Sequence, residues 1–217
     1  MSYMAGSEPA PCAPEPSHAQ SGSSGCDRPL LHLADGHPDP ATDFTLRGCR
    51  ASETVGEPDM RLERIISGGQ TGADRAALDF AITHSIPHGG WCPKGRRAED
   101  GVIPGQYVLQ ETPSRDYRQR TEWNVRDSDA TVIFTIGATL TGGSKLTAEF
   151  AARHGKPWLH LPEDAPGDPA GRLHDFLATH AVKVLNVAGS RASKEPDVAK
   201  FVEGVLAQAF EYHEVEA

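Results

Sequence analysis

Short apolar runs alternate with amphipathic stretches from about residue 64 to the C-terminal end of the chain. A continuous apolar run such as Ala130–Ile136 is typical of a strand that is buried on both faces of a parallel sheet. Five runs predict strands: Ile65–Ile66, the start of Ile86–Lys94, Ala130–Ile136, Pro157–Leu161 and Lys183–Gly189.

Helical patterns separate these runs and follow the last one. They predict helices from Ala73 to about Thr83, from an N-cap at Ser114 to about Arg126, over Leu146–His154 with Gly155 as C-cap, around Leu173–His180, and near the C-terminal end. The last helix has one apolar stripe, formed by Val198, Phe201, Val202, Val205, Leu206, Ala209 and Phe210. Strands that alternate with helices predict an α/β fold, an open, mostly parallel sheet of about five strands with helices on both faces.

The first 60 residues have a different composition. Eight of the 17 prolines lie there, large aliphatic residues are sparse, and nine acidic residues face three basic ones. Such a segment cannot bury enough apolar surface to offset the entropy of ordering it. We therefore predict a disordered arm over residues 1–60 and one folded domain over residues 61–217.

Charge and hydropathy exclude several partners. The arm carries most of the net charge of −9, so the folded region is close to neutral and offers no electrostatic basis for binding nucleic acid. No apolar run reaches the roughly 20 residues that cross a bilayer, and the N-terminal sequence lacks the features of a signal peptide, so we expect no membrane association and a cytoplasmic location. The four cysteines form no C-x-x-C pair, and neither disulfides nor a structural metal site are expected.

Three glycine-bearing segments each follow a predicted strand and precede a predicted helix. They are S-G-G-Q-T-G (67–72), T-G-G-S-K (141–145) and A-G-S-R-A-S (188–193). In an open parallel sheet, all such loops lie at the carboxyl edge, where ligands bind. Glycine allows the backbone to approach an anion closely, and helix N-termini offer free N–H groups. The sequence therefore predicts a site for a phosphate-bearing ligand.

A fourth segment, residues 95–113, is too long for a simple connection. It contains Arg96 and Arg97 and follows Lys94. Ordered loops of this length often bind ligands or act as lids, whereas the alternative is a solvated basic turn.

Five ordered blocks resemble the putative molybdenum carrier family. They are S-G-G-Q-T-G-A-D-R-A-A-L-D (67–79), I-P-H-G-G-W-C-P-K-G-R with A-E-D-G (86–101), Q-R-T-E-W-N-V-R-D-S-D (119–129), L-T-G-G-S (140–144) and L-N-V-A-G-S-R (185–191). The resemblance spans about residues 64–210 and implies a Rossmann-like fold. The related group includes LOG-type phosphoribohydrolases, lysine decarboxylase-like proteins and nucleotide-sensing domains. The implied ligand is the molybdenum cofactor, a pterin with a phosphate tail, or a nucleotide of similar shape.

Within that resemblance, the chemistry of the side chains assigns roles. Backbone N–H groups of the first two loops would hold phosphate oxygens. Positive charge would come from Lys94, Arg120 and Arg126, and Asn124 and Glu149 would bind the pterin or ribose edge. Asp74 is expected to cap its helix or to orient Arg75. The predicted ligand-binding set is Gly68, Gly69, Gln70, Thr71, Gly72, Lys94, Asn124, Arg126, Thr141, Gly142, Gly143, Ser144, Glu149, Gly189 and Ser190.

Several alternatives remain open at this stage. LOG-type enzymes carry an arginine ahead of P-G-G-x-G-T-x-x-E, and here Glu149 stands at the expected distance, with Arg120 and Arg126 as candidate arginines. Thr141 and Lys145 depart from that motif, so a ligand-binding protein is favoured over a phosphoribohydrolase; a nucleotide-sensing regulatory domain is a third hypothesis. Trp91 and Trp123 either stack on a ligand ring or pack in the core, and Cys92 is either a soft-metal ligand or a buried apolar residue. A homo-oligomer is expected by analogy alone.

Overall fold

The computed structural model describes residues 62–215. The predicted arm and the predicted domain boundary after residue 60 lie outside these residues. The helices are α1 (Ala73–Thr83), α2 (Tyr117–Arg126), α3 (Gly142–Arg153), α4 (Pro169–Thr179) and α5 (Val198–Val215). The strands are β1 (Arg64–Ile66), β2 (His88–Gly89), β3 (Trp91–Cys92), β4 (Arg97–Ala98), β5 (Gly101–Val102), β6 (Gln110–Glu111), β7 (Ala130–Thr135), β8 (Trp158–Pro162) and β9 (Val184–Gly189).

Five strands form one parallel sheet in the order β2-β1-β9-β7-β8. The sheet grows outward from β1 to β2 and, in the opposite direction, from β7 to β8, and β9 returns to fill the centre. This reversal places a topological switch point at the carboxyl ends of β1, β9 and β7. The predicted α/β fold with a parallel sheet is confirmed.

Two groups of helices cover the sheet. On one side α5 packs against both α1 and α4, and these helices bury the main apolar core, which includes Phe80, Leu173 and Leu206. On the other side α2 packs on α3 around Val125 and Phe150. All six residues of β7 are buried, because this strand has helices on both faces and strands on both edges.

Two predicted boundaries differ in the structure. The single strand predicted to start at Ile86 is two short strands, because Gly90 has a φ of 123° and turns the chain out of the main sheet. The N-cap of α2 is Asp116, whose side chain accepts a hydrogen bond from the backbone N–H of Arg118; the prediction of Ser114 was wrong. The hydroxyl of Ser114 instead accepts from the backbone N–H of Asp116, and this forms a turn ahead of the helix.

The long segment over residues 95–113 is ordered by its own contacts. It contains the antiparallel pair β4–β5, and β6 pairs with β3. Arg96 donates to four backbone carbonyls, those of Ile103, Leu109, Pro104 and Tyr107. Its guanidinium therefore satisfies loop carbonyls that have no strand partner, and its role is structural.

Residues 62–215 contain neither a membrane-spanning helix nor a cluster of metal ligands. None of their helices is both long and apolar enough to cross a bilayer. Within residues 62–215, no group of three or more His, Cys, Asp or Glu side chains is placed to hold a metal ion.

Candidate functional site

The three glycine-bearing loops come together at the carboxyl edge of the sheet. They border a cleft of about 290 Å³, and α2 forms the facing wall. The lining residues are Gln70, Asp74, Tyr117, Arg120, Thr121, Thr141, Gly142, Gly143, Ser144, Leu146, Thr147, Ala188, Gly189, Ser190, Arg191 and Lys194. The volume approaches the lower end of the range for small-molecule sites.

The loop after β7 presents the N-terminus of α3 to this cleft. Thr141 is the N-cap in an extended conformation, and its side chain makes no capping hydrogen bond. The N–H groups of Ser144 and Lys145 donate to the carbonyl of Thr141, whereas those of Gly142 and Gly143 have no partner among the described residues. Both glycines are exposed. The helix therefore offers free donors and the positive end of its dipole to the cleft.

Cations from the loop after β9 reinforce this end. Lys194 Nζ lies 3.4 Å from the point that a Cβ on Gly142 would occupy, so the ammonium group stands beside the helix N-terminus. Arg191 lies over the Tyr117 ring, with 5.0 Å between Cζ and the ring centroid. Neither Arg191 nor Lys194 forms an ion pair in the part of the chain that the structure describes. One positive charge thus lies beside the N-terminus of α3, and a second lies in the same cleft.

Several N–H groups in and directly after the loop that follows β1 have protein partners. The N–H of Gln70 donates to Asp74 Oδ2 (3.3 Å), that of Thr71 to Gln70 Oε1 (3.1 Å), and that of Ala73 to the carbonyl of Ser190 (3.2 Å). Gly72 has a φ of 81°, and a Cβ there would lie 2.5 Å from the carbonyl oxygen of Ser190. The glycine at this position is therefore required for the close packing of two loops.

Asp74 has a different role from the one predicted. It neither caps α1 nor contacts Arg75, which pairs with Asp100. Its Oδ2 instead accepts from Arg120 Nη1 at 2.8 Å, and both side chains are largely buried, with 5% and 13% of their surfaces exposed. This ion pair joins the first turn of α1 to α2 across the cleft.

The β4–β5 hairpin is tied to two of the loops through Glu99. Its carboxylate accepts hydrogen bonds from the hydroxyl of Thr71 and from the backbone N–H and hydroxyl of Ser193. Its own N–H donates to Gln70 Oε1 at 2.9 Å. Burial opposes ionisation of Glu99, but the hydrogen bonds from Ser193 and Thr71 outweigh it and hold its pKa below the usual value.

The structure brings seven predicted residues to the cleft: Gln70, Thr141, Gly142, Gly143, Ser144, Gly189 and Ser190. Gly68 and Asn124 border a second, smaller cavity beside it. The amide of Asn124 is paired with the backbone N–H and carbonyl of Trp91, which anchors α2 to β3. Gly69, Thr71 and Gly72 lie in the first loop without lining the cleft.

Three predicted residues lie elsewhere. Glu149 and Lys94 are exposed and do not line the cleft. Arg126 pairs with Asp127 and stacks on Trp123, 4.8 Å from its ring centroid. Of the two candidate arginines, only Arg120 lines the cleft. Glu149 does not face the cleft because α3 presents Ser144 and Thr147 to it, and position 149 lies on another side of the helix.

Other predicted roles are structural. Trp91 and Trp123 pack edge to face with 4.6 Å between ring centroids, and Trp91 Nε1 donates to Asp127. Cys92 is fully buried in an apolar cluster with Leu78 and Ile103, and burial raises the pKa of its thiol.

The predicted site set omitted several residues that the fold brings to the cleft. They include Tyr117, Arg191 and Lys194. Arg191 lies within the third glycine-bearing loop and Lys194 follows it directly, so a basic residue in or next to such a loop was the available signal. Tyr117 gave no such signal, because it reaches the cleft only through the packing of α2.

Comparison with known proteins agrees with this architecture. The family model described as "Circularly permutated YpsA SLOG family" matches residues 65–210. The chain belongs to this family. No curated protein matches the chain.

A solved relative gives further support. A crystal structure described as a "Putative molybdenum carrier protein" from Syntrophus aciditrophicus SB is 50% identical, with a TM-score of 0.67, and the match covers 68% of this chain and 94% of that one. The resemblance found from the sequence motifs is confirmed. Membership of this family and this relative support a ligand-binding role for the chain.

Proposed function

We propose that this protein binds a small phosphate-bearing ligand in the cleft, either the molybdenum cofactor or a nucleotide of similar shape. The observation that carries the proposal is the N-terminus of α3, where the N–H groups of Gly142 and Gly143 have no partner among the described residues and Lys194 lies beside them, with Arg191 in the same cleft. A phosphate there would gain charge-assisted hydrogen bonds and a favourable dipole. The crystallised relative described as a molybdenum carrier supports the same ligand class.

The cleft residues suit a phosphate better than a bare metal ion. Arg191 and Lys194 supply positive charge, whereas Asp74 is the one carboxylate among the lining residues and already pairs with Arg120. Molybdenum would therefore arrive as part of the ligand, and the protein would bind the organic part and its phosphate.

The phosphoribohydrolase hypothesis loses its predicted catalytic group. Glu149, the carboxylate on which it rested, is exposed and does not line the cleft. We therefore favour retention of the ligand over turnover, and the same preparation tests both.

The experiment is to purify the full chain from cells and identify what it retains by native mass spectrometry and metal analysis. We expect a bound pterin or nucleotide at a fixed stoichiometry. The double variant Arg191→Ala/Lys194→Ala should lose it, because each lost charge-assisted contact weakens binding by roughly tenfold or more.

Arg126→Ala is the matched control, since it removes an arginine outside the cleft and should retain the ligand. Equal retention by the double variant and by wild type would contradict the proposal. Release of free base from added AMP would favour the hydrolase instead.

A further inference from the structure

The end of the cleft beside β1 differs from the end beside β7. Here the lining residues are Gln70 and Asp74, which are only 3% and 4% exposed, so that both are more than nine-tenths buried. Neither carries a positive charge, and Arg120, which also lines the cleft here, has its guanidinium paired with Asp74. This end therefore has no net positive charge to attract a phosphate, and another part of the ligand would lie here.

Gln70 can only donate to a ligand. Its Oε1 already accepts two hydrogen bonds, from the N–H groups of Thr71 and Glu99, and these two bonds fix which end of the amide is oxygen. Its Nε2 is buried and has no hydrogen-bond partner among the described residues. Buried donors of this kind are rare and costly, so a ligand acceptor is the group that this nitrogen lacks.

Asp74 can only accept. Its Oδ2 accepts from Arg120 Nη1 and from the N–H of Gln70, whereas no described residue donates to Oδ1. The Arg120 contact fixes the carboxylate in place. Asp74 therefore offers one unused acceptor oxygen on the residue that lines the cleft beside Gln70.

Arg120 Nε also lacks a partner, but a simpler explanation exists for it. Arg120 borders the second cavity, of about 10 Å³, together with the polar residues Thr121, Asn124 and Asn186. A polar cavity of that size can hold about one water molecule. We therefore assign no ligand contact to this nitrogen.

The order of the strands sets the distance between the two ends. β9 lies between β1 and β7, and neighbouring strands are about 4.8 Å apart, so the two loops are separated by roughly 10 Å. A phosphate at the N-terminus of α3 would thus leave the neutral part of a nucleotide-sized ligand beside Asp74 and Gln70.

We propose that Asp74 and Gln70 form a donor–acceptor pair that recognises the neutral part of the ligand. The group they bind must donate to a carboxylate and accept from an amide. A sugar hydroxyl meets this requirement, and so does the amide edge of a pterin or guanine ring, which presents N–H beside C=O. The inference rests on the proposed function, because it presupposes a phosphate at the other end of the cleft.

Asp74→Asn tests this with three probes: inorganic phosphate, ribose 5-phosphate and GMP. Asparagine can still accept from Arg120 through its oxygen, but it then presents an NH₂ group where Asp74 presents an acceptor. We expect GMP binding to weaken about tenfold. Phosphate binding should stay unchanged or tighten, because the variant removes a negative charge from the cleft.

GMP binding is expected to weaken while phosphate binding does not, and this contrast separates a loss of recognition from damage to the fold. Damage to the fold would weaken the binding of all three probes. Glu149→Gln is the matched control, because it removes the same charge at an exposed position outside the cleft and should leave all three affinities unchanged. The double variant Asp74→Asn/Gln70→Glu restores the total charge with donor and acceptor exchanged. It should bind phosphate like wild type and GMP more weakly.

The probes also identify the group that is recognised. If Asp74→Asn weakens ribose 5-phosphate and GMP alike, the pair binds the sugar; if it weakens only GMP, the pair binds the ring edge. Equal changes for phosphate and GMP, or an unchanged affinity for GMP, would overturn the inference. If wild type binds phosphate but neither larger probe more tightly, the inference fails alone. If wild type does not bind phosphate either, the proposed function fails with it.

Discussion

Two glycine-rich loops that look alike in sequence have opposite properties in the fold. The loop after β1, S-G-G-Q-T-G, is buried except for the half-buried Thr71, and the N–H groups of Gln70, Thr71 and the following Ala73 have protein partners. The loop after β7, T-G-G-S-K, has two exposed glycines whose N–H groups are free among the described residues. The carboxylate of Asp74 lies in the helix turn directly after the first loop, whereas Lys194 stands beside the second loop.

This difference shows that glycine serves two purposes at one sheet edge. In the first loop it permits the backbones of neighbouring loops to touch, as Gly72 does against Ser190. In the second it leaves the N-terminus of a helix open to a ligand. The two loops look alike in sequence because glycine is the same residue in both, whether it serves close packing or leaves a helix end exposed.

Replacing a glycine by alanine in each loop in turn should give the largest difference, measured as the free energy of unfolding. Gly72→Ala places a Cβ 2.5 Å from a backbone oxygen at a φ of 81°, so it should lower the free energy of unfolding by about 3 kcal/mol or more. Gly143→Ala meets no atom within 4 Å and should be neutral or slightly stabilising. Urea unfolding of the two variants measures the contrast, and similar losses in both would break the comparison.

A negative charge placed in the loop after β7 should weaken phosphate binding without lowering the stability of the fold. Gly143→Asp puts a carboxylate in the first turn of α3, where it stabilises the helix by about 0.5 kcal/mol but occupies the position proposed for phosphate. We expect phosphate binding to weaken by roughly 2 kcal/mol while the midpoint of thermal unfolding does not fall. Gly143→Asn is the neutral control, and calorimetric titration is the measurement. If Gly143→Asp leaves the phosphate affinity unchanged, the anion does not bind at the N-terminus of α3.

A smaller effect on stability is expected from Glu99, through which the β4–β5 hairpin contacts the loop after β1. Glu99→Gln should weaken the bonds to Thr71 and Ser193 and lower the free energy of unfolding by about 1 kcal/mol or less at neutral pH. Because folding lowers the pKa of Glu99, its stabilisation is present above the usual value of 4.5 and is lost as the pH falls through the lower, folded value.

The difference in stability between wild type and Glu99→Gln should therefore shrink on acidification. Urea unfolding at neutral pH and at a pH below the usual glutamate value measures it. Glu149→Gln, an exposed substitution without a hydrogen bond of this kind in the described structure, should show no such trend. A constant difference across pH would assign Glu99 no role in holding the loops.

Much of the fold followed from local patterns, and the exceptions have physical causes. The parallel α/β sheet and the shared edge of the three loops were predicted correctly, because strand and helix periods are local and parallel strands place every strand-to-helix loop at the carboxyl edge. The cap of α2 was misplaced, because Ser114 and Asp116 are both good cap residues and only the path of the chain selects Asp116. Gly90 divides a strand that the sequence pattern presented as continuous.

The candidate site was less predictable than the fold. The motif that suggested Glu149 fixes a spacing in sequence but not the side of α3 that faces the cleft. Arg126 and Arg120 are six residues apart on one helix, and only the packing of α2 decides that Arg120 meets Asp74 while Arg126 stacks on Trp123. The sequence alone could not separate these arginines, because both positions carry the same chemistry.

The sequence by itself determined the strand and helix order, the family, and the meeting of three glycine-bearing loops at one edge of the sheet. Only the tertiary structure decided which loop is free to bind. The reason is that the groups around the first loop are fixed by distant parts of the chain. Ser190 accepts from the N–H of Ala73, Glu99 donates to the Gln70 side chain, and Arg120 holds Asp74, which in turn accepts from the N–H of Gln70. Whether a backbone donor is free depends on such contacts, and local sequence does not encode them.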